Sequence, residues 1–342
     1  VRLTDQFDRP LGSLRISVTD RCNLRCRYCM PAAAYAWLPT ASLLSFDEIT
    51  RLARLFVAHG VAKLRLTGGE PLLRPGLDEL VGQLAAIGGV DDLALTTNAT
   101  RLAAEADSLH RAGLKRLTIS LDTLRPERME ALARADRTSA VVEGIDAARQ
   151  AGFTTIKLNT VVMRGVNDDE IIEIVRFATS RGLEARFIEY MDVGGALEWR
   201  AEAVVPRAEI LSRLEATFGP LAHLARAGDP SAPAERWRLP DGTVVGIVAS
   251  TTTPFCGACD RSRLTADGMW YRCLYAEEGI DLATPLRSGA GDEELAAIIT
   301  SGWQSRHDRG AEQRAAQPGR APLVPLTRLQ QDPRLEMHVR GG

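Results

Sequence analysis

The chain has 342 residues, 45% apolar and 25% charged, with a formal net charge of −2. That length suits one large domain or two ordinary ones around a sizeable core, and the slight acidity excludes a sequence-independent nucleic-acid binder, which needs a basic face. No apolar run of about 18 residues predicts a membrane span, and the opening VRLTDQFDRPLG lacks a signal-peptide core.

From residue 11 to 191 the sequence repeats one unit: a short apolar strand, a loop and an amphipathic helix. Strands are predicted at 14–19, 63–67, 92–97, 115–121, 155–162 and 184–191. Helices are predicted at 46–59, 76–87, 101–112, 126–134, 139–151 and 168–181. His59-Gly60, Ala112-Gly113, Ala151-Gly152 and Arg181-Gly182 mark helix ends, because glycine enters the left-handed region that stops a helix. Six βα units in series imply a parallel sheet with right-handed crossovers. The fold class is therefore α/β, a partial (βα)6 TIM-like barrel with ligands at the carboxyl ends of its strands.

After Met191 come a Gly-Gly loop, a short helix at 207–217 and a Pro/Ala/Gly stretch at 227–234. Two hairpins follow, RWRLPDGTVVGIVAS turning at Asp241-Gly242 and RSRLTADGMWYRC turning at Asp267-Gly268. Residues 1–195 thus form the barrel domain, and 196–342 an extension that closes it and ends in a flexible Gly341-Gly342 tail.

Strands buried on both faces of a parallel sheet are continuously apolar, whereas these alternate. Leu14, Ile16, Val18, Leu64, Leu66, Leu93, Leu95, Ile119, Leu121, Ile156 and Leu158 share one face. Arg15, Ser17, Thr19, Arg65, Thr67, Gly69, Thr96, Asn98, Thr118, Ser120, Asp122, Lys157, Asn159, Glu189 and Met191 share the other. With helices outside, the polar set points inward. Unpaired charges are costly to bury, so the interior is a wet cavity that holds a ligand. Arginine outnumbers lysine 39 to three. Codon bias accounts for such a ratio, and Lys157 on the inner face is an exception to it.

All six cysteines fall in two triplets: Cys22, Cys26 and Cys29 as C-x3-C-x2-C, and Cys256, Cys259 and Cys273 as C-x2-C-x13-C. A disulfide framework belongs to short secreted chains. Metal or cluster ligation in a reducing cytoplasm remains. The first triplet directly follows the first strand, at the cavity mouth. Thiolates suit iron–sulfur clusters and zinc, but a structural zinc usually closes four protein ligands locally, and no fourth Cys or His is near. Three thiolates on a cubane leave one iron open. Zinc with a water remains a competing account of the second triplet.

CNLRCRYC resembles the signature of the radical S-adenosylmethionine enzymes, and Gly68-Gly69-Glu70-Pro71 resembles their GGEP motif. RLTGGEPLLR, LTTNAT, ISLDTL, CGACDRSRLTADG and the terminal Gly-Gly narrow the likeness to the GTP 3′,8-cyclase family, molybdenum cofactor biosynthesis protein A. The resemblance implies a [4Fe-4S] cluster on Cys22, Cys26 and Cys29, with S-adenosyl-L-methionine as cosubstrate near Tyr28, Gly69, Ser120 and Met191. It implies a second [4Fe-4S] cluster on Cys256, Cys259 and Cys273, whose open iron holds the guanine. Arg15, Arg65, Thr96, Lys157, Arg261, Ser262 and Arg263 match GTP-binding positions, and Gly341 and Gly342 match a tail that supports catalysis. The implied reaction removes the C3′ hydrogen of GTP and joins C3′ to C8, with an external electron donor. The product passes to cyclic pyranopterin monophosphate synthase. Monomer and homodimer both stay open, with no nucleic acid or membrane partner. The chain departs from the family at Ala99, where Gly is commoner, and at Arg340, where a smaller or apolar residue is expected. Two other readings are a radical S-adenosylmethionine peptide maturase with an auxiliary cluster and a zinc-stabilised binding module.

Overall fold

Six strands lie side by side in chain order and in parallel: β1 (Ser13–Ser17), β2 (Lys63–Thr67), β3 (Asp92–Thr97), β4 (Arg116–Ser120), β5 (Ile156–Val162) and β6 (Glu184–Glu189). This is a computed structural model describing residues 2–31, 35–225 and 229–341. The crossovers are α1 (Phe46–Ala58), α2 (Leu77–Ala85), α3 (Leu102–Arg111), α4 (Pro126–Ala133) with α5 (Thr138–Gln150), and α6 (Ile171–Ser180). Each expected strand and helix is present within a few residues. Gly60, Gly113, Gly152 and Gly182 all adopt positive φ after their helices, as the stop signals require. The α1 start is a capping box: Glu48 N donates to Ser45 Oγ at 3.1 Å, and Ser45 N to Glu48 Oε2 at 2.7 Å.

The apolar strand face packs outward on the helices. Leu14, Ile16, Leu64, Leu66, Leu93 and Leu95 are buried against the same core as Leu52 and Phe56 of α1, Leu80 of α2 and Leu109 of α3. Each such side chain contributes roughly 1.5–3 kcal/mol.

The C-terminal part adds α7 (Arg207–Phe218), then β7 (Ala222–Leu224), β8 (Glu235–Arg238), β9 (Val244–Val248), β10 (Arg261–Leu264), β11 (Met269–Tyr271) and β12 (Ile280–Asp281). Helices α8 (Ala283–Arg287), α9 (Asp292–Gln304), α10 (Gly310–Ala315) and α11 (Leu326–Gln331) follow. Both expected hairpins form, β8–β9 and β10–β11. Each also does something the local pattern does not state. β9 pairs in parallel with β6, and β10 in parallel with β1. The parallel core therefore gains one strand at each edge, within a twelve-stranded sheet ordered β12-β11-β10-β1-β2-β3-β4-β5-β6-β9-β8-β7.

Hydrogen bonds tie the chain to the barrel as far as Gly341. Ser17 Oγ donates to the Val339 carbonyl at 2.9 Å, and Arg263 Nη1 to the Arg340 and Gly341 carbonyls at 3.0 and 2.6 Å. Arg340 is buried; it donates from Nη1 to the Leu274 and Ala276 carbonyls and from Nε to that of Arg334. Its fork reaches all three carbonyls, which a small residue could not. Gly342 lies outside the described residues.

Candidate active site between two cysteine triplets

The inner strand faces enclose a cavity of about 460 Å³, lined by all six cysteines. Strand direction places the triplets at opposite ends. Cys22, Cys26 and Cys29 follow β1, at the carboxyl ends of the parallel strands. Cys256 and Cys259 precede β10, which runs parallel to β1, so they lie at the amino ends. The antiparallel return of β11 brings Cys273 back beside them. The cavity thus reaches beyond the carboxyl ends to the other mouth.

Between the mouths runs a row of cations. Register sets Arg263 of β10 beside Arg15 of β1, and Arg15 beside Arg65 of β2. Adjacent strands lie about 4.8 Å apart, and like charges directly opposite each other are destabilising. Arg65 Nη1 donates to Thr96 Oγ1 at 3.1 Å and Thr118 Oγ1 at 2.9 Å. Burial, then Arg15, pulls the Arg65 guanidinium down to about 9, and burial, then Arg261, pulls Arg263 to about 10. Burial, then Arg186 and Arg116, holds the Lys157 ammonium at about 7. This wall concentrates positive charge, which favours an anionic ligand.

At the first mouth Gly68 and Gly69 press against the cysteine loop. A Cβ on Gly69 would stand 2.3 Å from the Arg21 carbonyl, and one on Gly68 2.3 Å from that of Thr19. Glu70 is buried and accepts from Leu72 N, Thr97 Oγ1 and Asn98 N. Burial raises its carboxyl to about 7. Ala99 sits at φ +60°, in the left-handed region where glycine is unstrained; this explains the family's preference at that position.

Two family models match the chain: the Radical SAM superfamily over residues 16–178 and Molybdenum Cofactor Synthesis C over 183–312. "GTP 3′,8-cyclase 3" of Mycobacterium bovis is 53% identical over 99% of this chain and 90% of that protein. "GTP 3′,8-cyclase 1" of Mycobacterium tuberculosis is 52% identical over 100% of this chain and 96% of that one.

The chain belongs to the GTP 3′,8-cyclase family.

The fold agrees. The crystal structure of Streptococcus suis SuiB bound to S-adenosylmethionine superposes with a TM-score of 0.60 at 15% identity, covering 90% of this chain and 68% of that one. Membership in the radical SAM superfamily implies a [4Fe-4S] cluster and S-adenosylmethionine. The residues of this cyclase-family chain fit them. Cys22, Cys26 and Cys29 are unpaired thiols on the cavity wall. Burial raises all three, Cys22 to about 11, with Asp122 adding at Cys26 and Cys22 at Cys29; thiolates form there only when metal compensates them.

Of the sequence-predicted residues, Tyr28, Gly69, Ser120, Met191, Arg15, Arg65, Thr96, Lys157, Arg261 and Arg263 all line the cavity. Ser262 does not; it is buried opposite Leu14, on the outer face, because neighbours along a strand alternate. Glu189 also lines the cavity, at the end of β6, although it falls out of phase with its neighbours. Register pairs Asn159 with Arg186 and Val161 with Ile188, so Arg186 and Ile188 face inward on β6. The buried Glu189 carboxylate accepts from Arg207 N, Thr251 N and Thr252 N. Sequence reasoning missed Arg116 and Arg186 on the cavity wall. Arg116 was legible, since it shares the phase of Thr118 and Ser120.

Proposed function

We propose that this chain converts GTP to (8S)-3′,8-cyclo-7,8-dihydroguanosine 5′-triphosphate, the first step of molybdenum cofactor biosynthesis. The observation that carries the proposal is the Arg263–Arg15–Arg65 row between two cysteine triplets in one cavity, in a chain about half identical to named cyclases. A triphosphate complements the positive charge of the row, and each charge-assisted hydrogen bond is worth roughly 1.5–3 kcal/mol.

Cys22, Cys26 and Cys29 hold the first [4Fe-4S] cluster, and Tyr28, Gly69, Ser120 and Met191 seat S-adenosylmethionine against it. Cys256, Cys259 and Cys273 hold a second [4Fe-4S] cluster at the other mouth. When bound, these groups supply one-electron reduction and hydrogen-atom abstraction. Arg15, Arg65, Arg261 and Arg263 fork onto phosphate oxygens, Lys157 adds a point charge, and Thr96 fixes Arg65. Their placement on strands holds the nucleotide at a fixed depth, and Gly341 and Gly342 take the catalytic role that the family resemblance implies. We assign 1–195 to the radical SAM barrel and 196–342 to the region that carries the second cluster and closes it, in a reducing cytoplasm. An external donor supplies electrons, and cyclic pyranopterin monophosphate synthase takes the product.

The test is anaerobic reconstitution with iron and sulfide, then reduction with S-adenosylmethionine and GTP. About eight irons per chain and 5′-deoxyadenosine formed only with GTP are expected. A colourless zinc protein, or 5′-deoxyadenosine indifferent to GTP, would overturn the assignment.

A further inference from the structure

Two buried arginines reach the second cysteine loop from behind the cavity wall. Arg9 donates from Nη1 to the Cys256 carbonyl at 3.1 Å, and Arg306, just past α9, from Nη1 to the Cys259 carbonyl at 2.9 Å. They are 2% and 1% exposed, and neither lines the cavity, so neither touches substrate. Asp5 Oδ2 lies 2.6 Å from Arg9 Nε and 3.7 Å from Arg306 Nη1. Asp308 Oδ2 lies 3.4 Å from Arg306 Nε. The Arg306 guanidinium sits 4.5 Å above the Trp303 ring, whose Nε1 donates to the Arg9 carbonyl at 3.0 Å.

Buried ion pairs of this kind seldom stabilise more than apolar packing would, so stability alone does not account for them. Acidic groups face both triplets, Glu312 and Asp308 at the second, but the second also has the cations Arg261 and Arg306 close by. Asp122, Glu70 and Glu336 act on the first triplet, with Arg25 as its cation. At the second, Arg261 Nη2 donates to Cys259 Sγ at 3.3 Å.

We propose that Arg306, backed by Arg9, is a positioning residue for the second cluster: it holds the Cys256–Cys259 loop by its carbonyls and raises the reduction potential of a cluster bound there. Reduction adds one negative charge inside a low-dielectric interior, and a fixed cation a few ångströms away favours it. This rests on the two-cluster reading above.

The experiment is an anaerobic potentiometric titration of the reconstituted full chain, followed by electron paramagnetic resonance. The signal perturbed by added GTP belongs to the second cluster, and that perturbed by S-adenosylmethionine to the first. Arg306→Gln keeps a donor for the Cys259 carbonyl and loses the charge; the GTP-responsive potential should move negative while the other stays. Arg306→Lys should leave both near the parent values. Asp308→Asn, on a side chain 26% exposed, removes a negative charge and should move the GTP-responsive potential positive, and it answers the question even where Arg306→Gln does not fold. Unmoved potentials in these charge variants, or equal shifts of both clusters, overturn the proposal. A parent protein with about four irons and no GTP-responsive signal removes the two-cluster reading itself, and this proposal with it.

Discussion

The Tyr28 hydroxyl donates to Asp122 Oδ2 at 2.6 Å, tying the first cysteine loop to the end of β4. Asp122 Oδ1 accepts from Val161 N at 2.8 Å, and Asn167 Nδ2 donates to the Asp122 carbonyl at 2.8 Å. The aromatic residue of the C-x3-C-x2-C loop is therefore positioned by the ends of two strands.

Tyr28→Phe leaves that buried carboxylate oxygen short of a donor, at a cost of about 1–3 kcal/mol. Anaerobic urea unfolding of the metal-free chain should show it as a lower midpoint. Burial raises the Asp122 carboxyl to about 6, above its unfolded value. Its contribution to stability is therefore full at low pH and lost as pH rises through about 6. Asp122→Asn should flatten the stability profile between roughly pH 4 and 6; an unaltered slope would contradict the assignment.

Gly69→Ala would push a methyl to within 2.3 Å of the Arg21 carbonyl. Backbone cannot yield there as a flexible side chain could, so the first cysteine loop must shift. The variant should keep its fold and the GTP-responsive cluster but bind about half the iron of the parent. Full iron content in the variant would show that the loop tolerates the displacement.

Lys157→Met removes a cation held at about 7 by burial and by Arg186 and Arg116. The folded value lies below the unfolded one, so the stability this group contributes is present above about pH 10.5 and lost as pH falls through 7. The variant should melt higher than the parent at pH 6, yet bind GTP roughly ten- to a hundredfold more weakly. Calorimetry should also show proton uptake on GTP binding above pH 7 in the parent, reduced in the variant. Equal affinities would remove Lys157 from the nucleotide site.

Asp192→Ala tests what fastens the C-terminal segment. The fully buried Asp192 carboxylate accepts from Arg314 Nε and Nη2, Arg320 Nε and Nη2, and Tyr275 Oη. Its loss strands two guanidiniums beside the barrel, at about 3 kcal/mol once their partial exposure is allowed for. Limited proteolysis should cut the 305–325 region faster, and resistance equal to the parent's would mean other contacts suffice.

The inner-face residues show where reading by local pattern succeeds and where it stops. Arg15, Arg65, Thr96 and Lys157 line the cavity as their alternation requires. The phase shifts along β6, where pairing turns Arg186 and Ile188 inward, while Glu189, which also lines the cavity, aims its carboxylate at backbone amides. Two polar residues three apart satisfy either phase, and only pairing with β5 settles which faces in. Ser262 was implied by the family resemblance alone, and on β10 its side chain falls opposite Leu14, on the outer face.

Local sequence determined the βα repeat, the helix ends, the polar strand face and both cysteine triplets, because period, turn chemistry and ligand spacing act over a few residues. Tertiary closure alone decided that the triplets occupy opposite mouths, that β9 and β10 extend the parallel core, that Arg263 pins the chain end and that Arg9 and Arg306 meet behind Cys256 and Cys259. Those relations join segments up to hundreds of residues apart. Their energy comes from burial and charge compensation that exist only once the barrel is assembled.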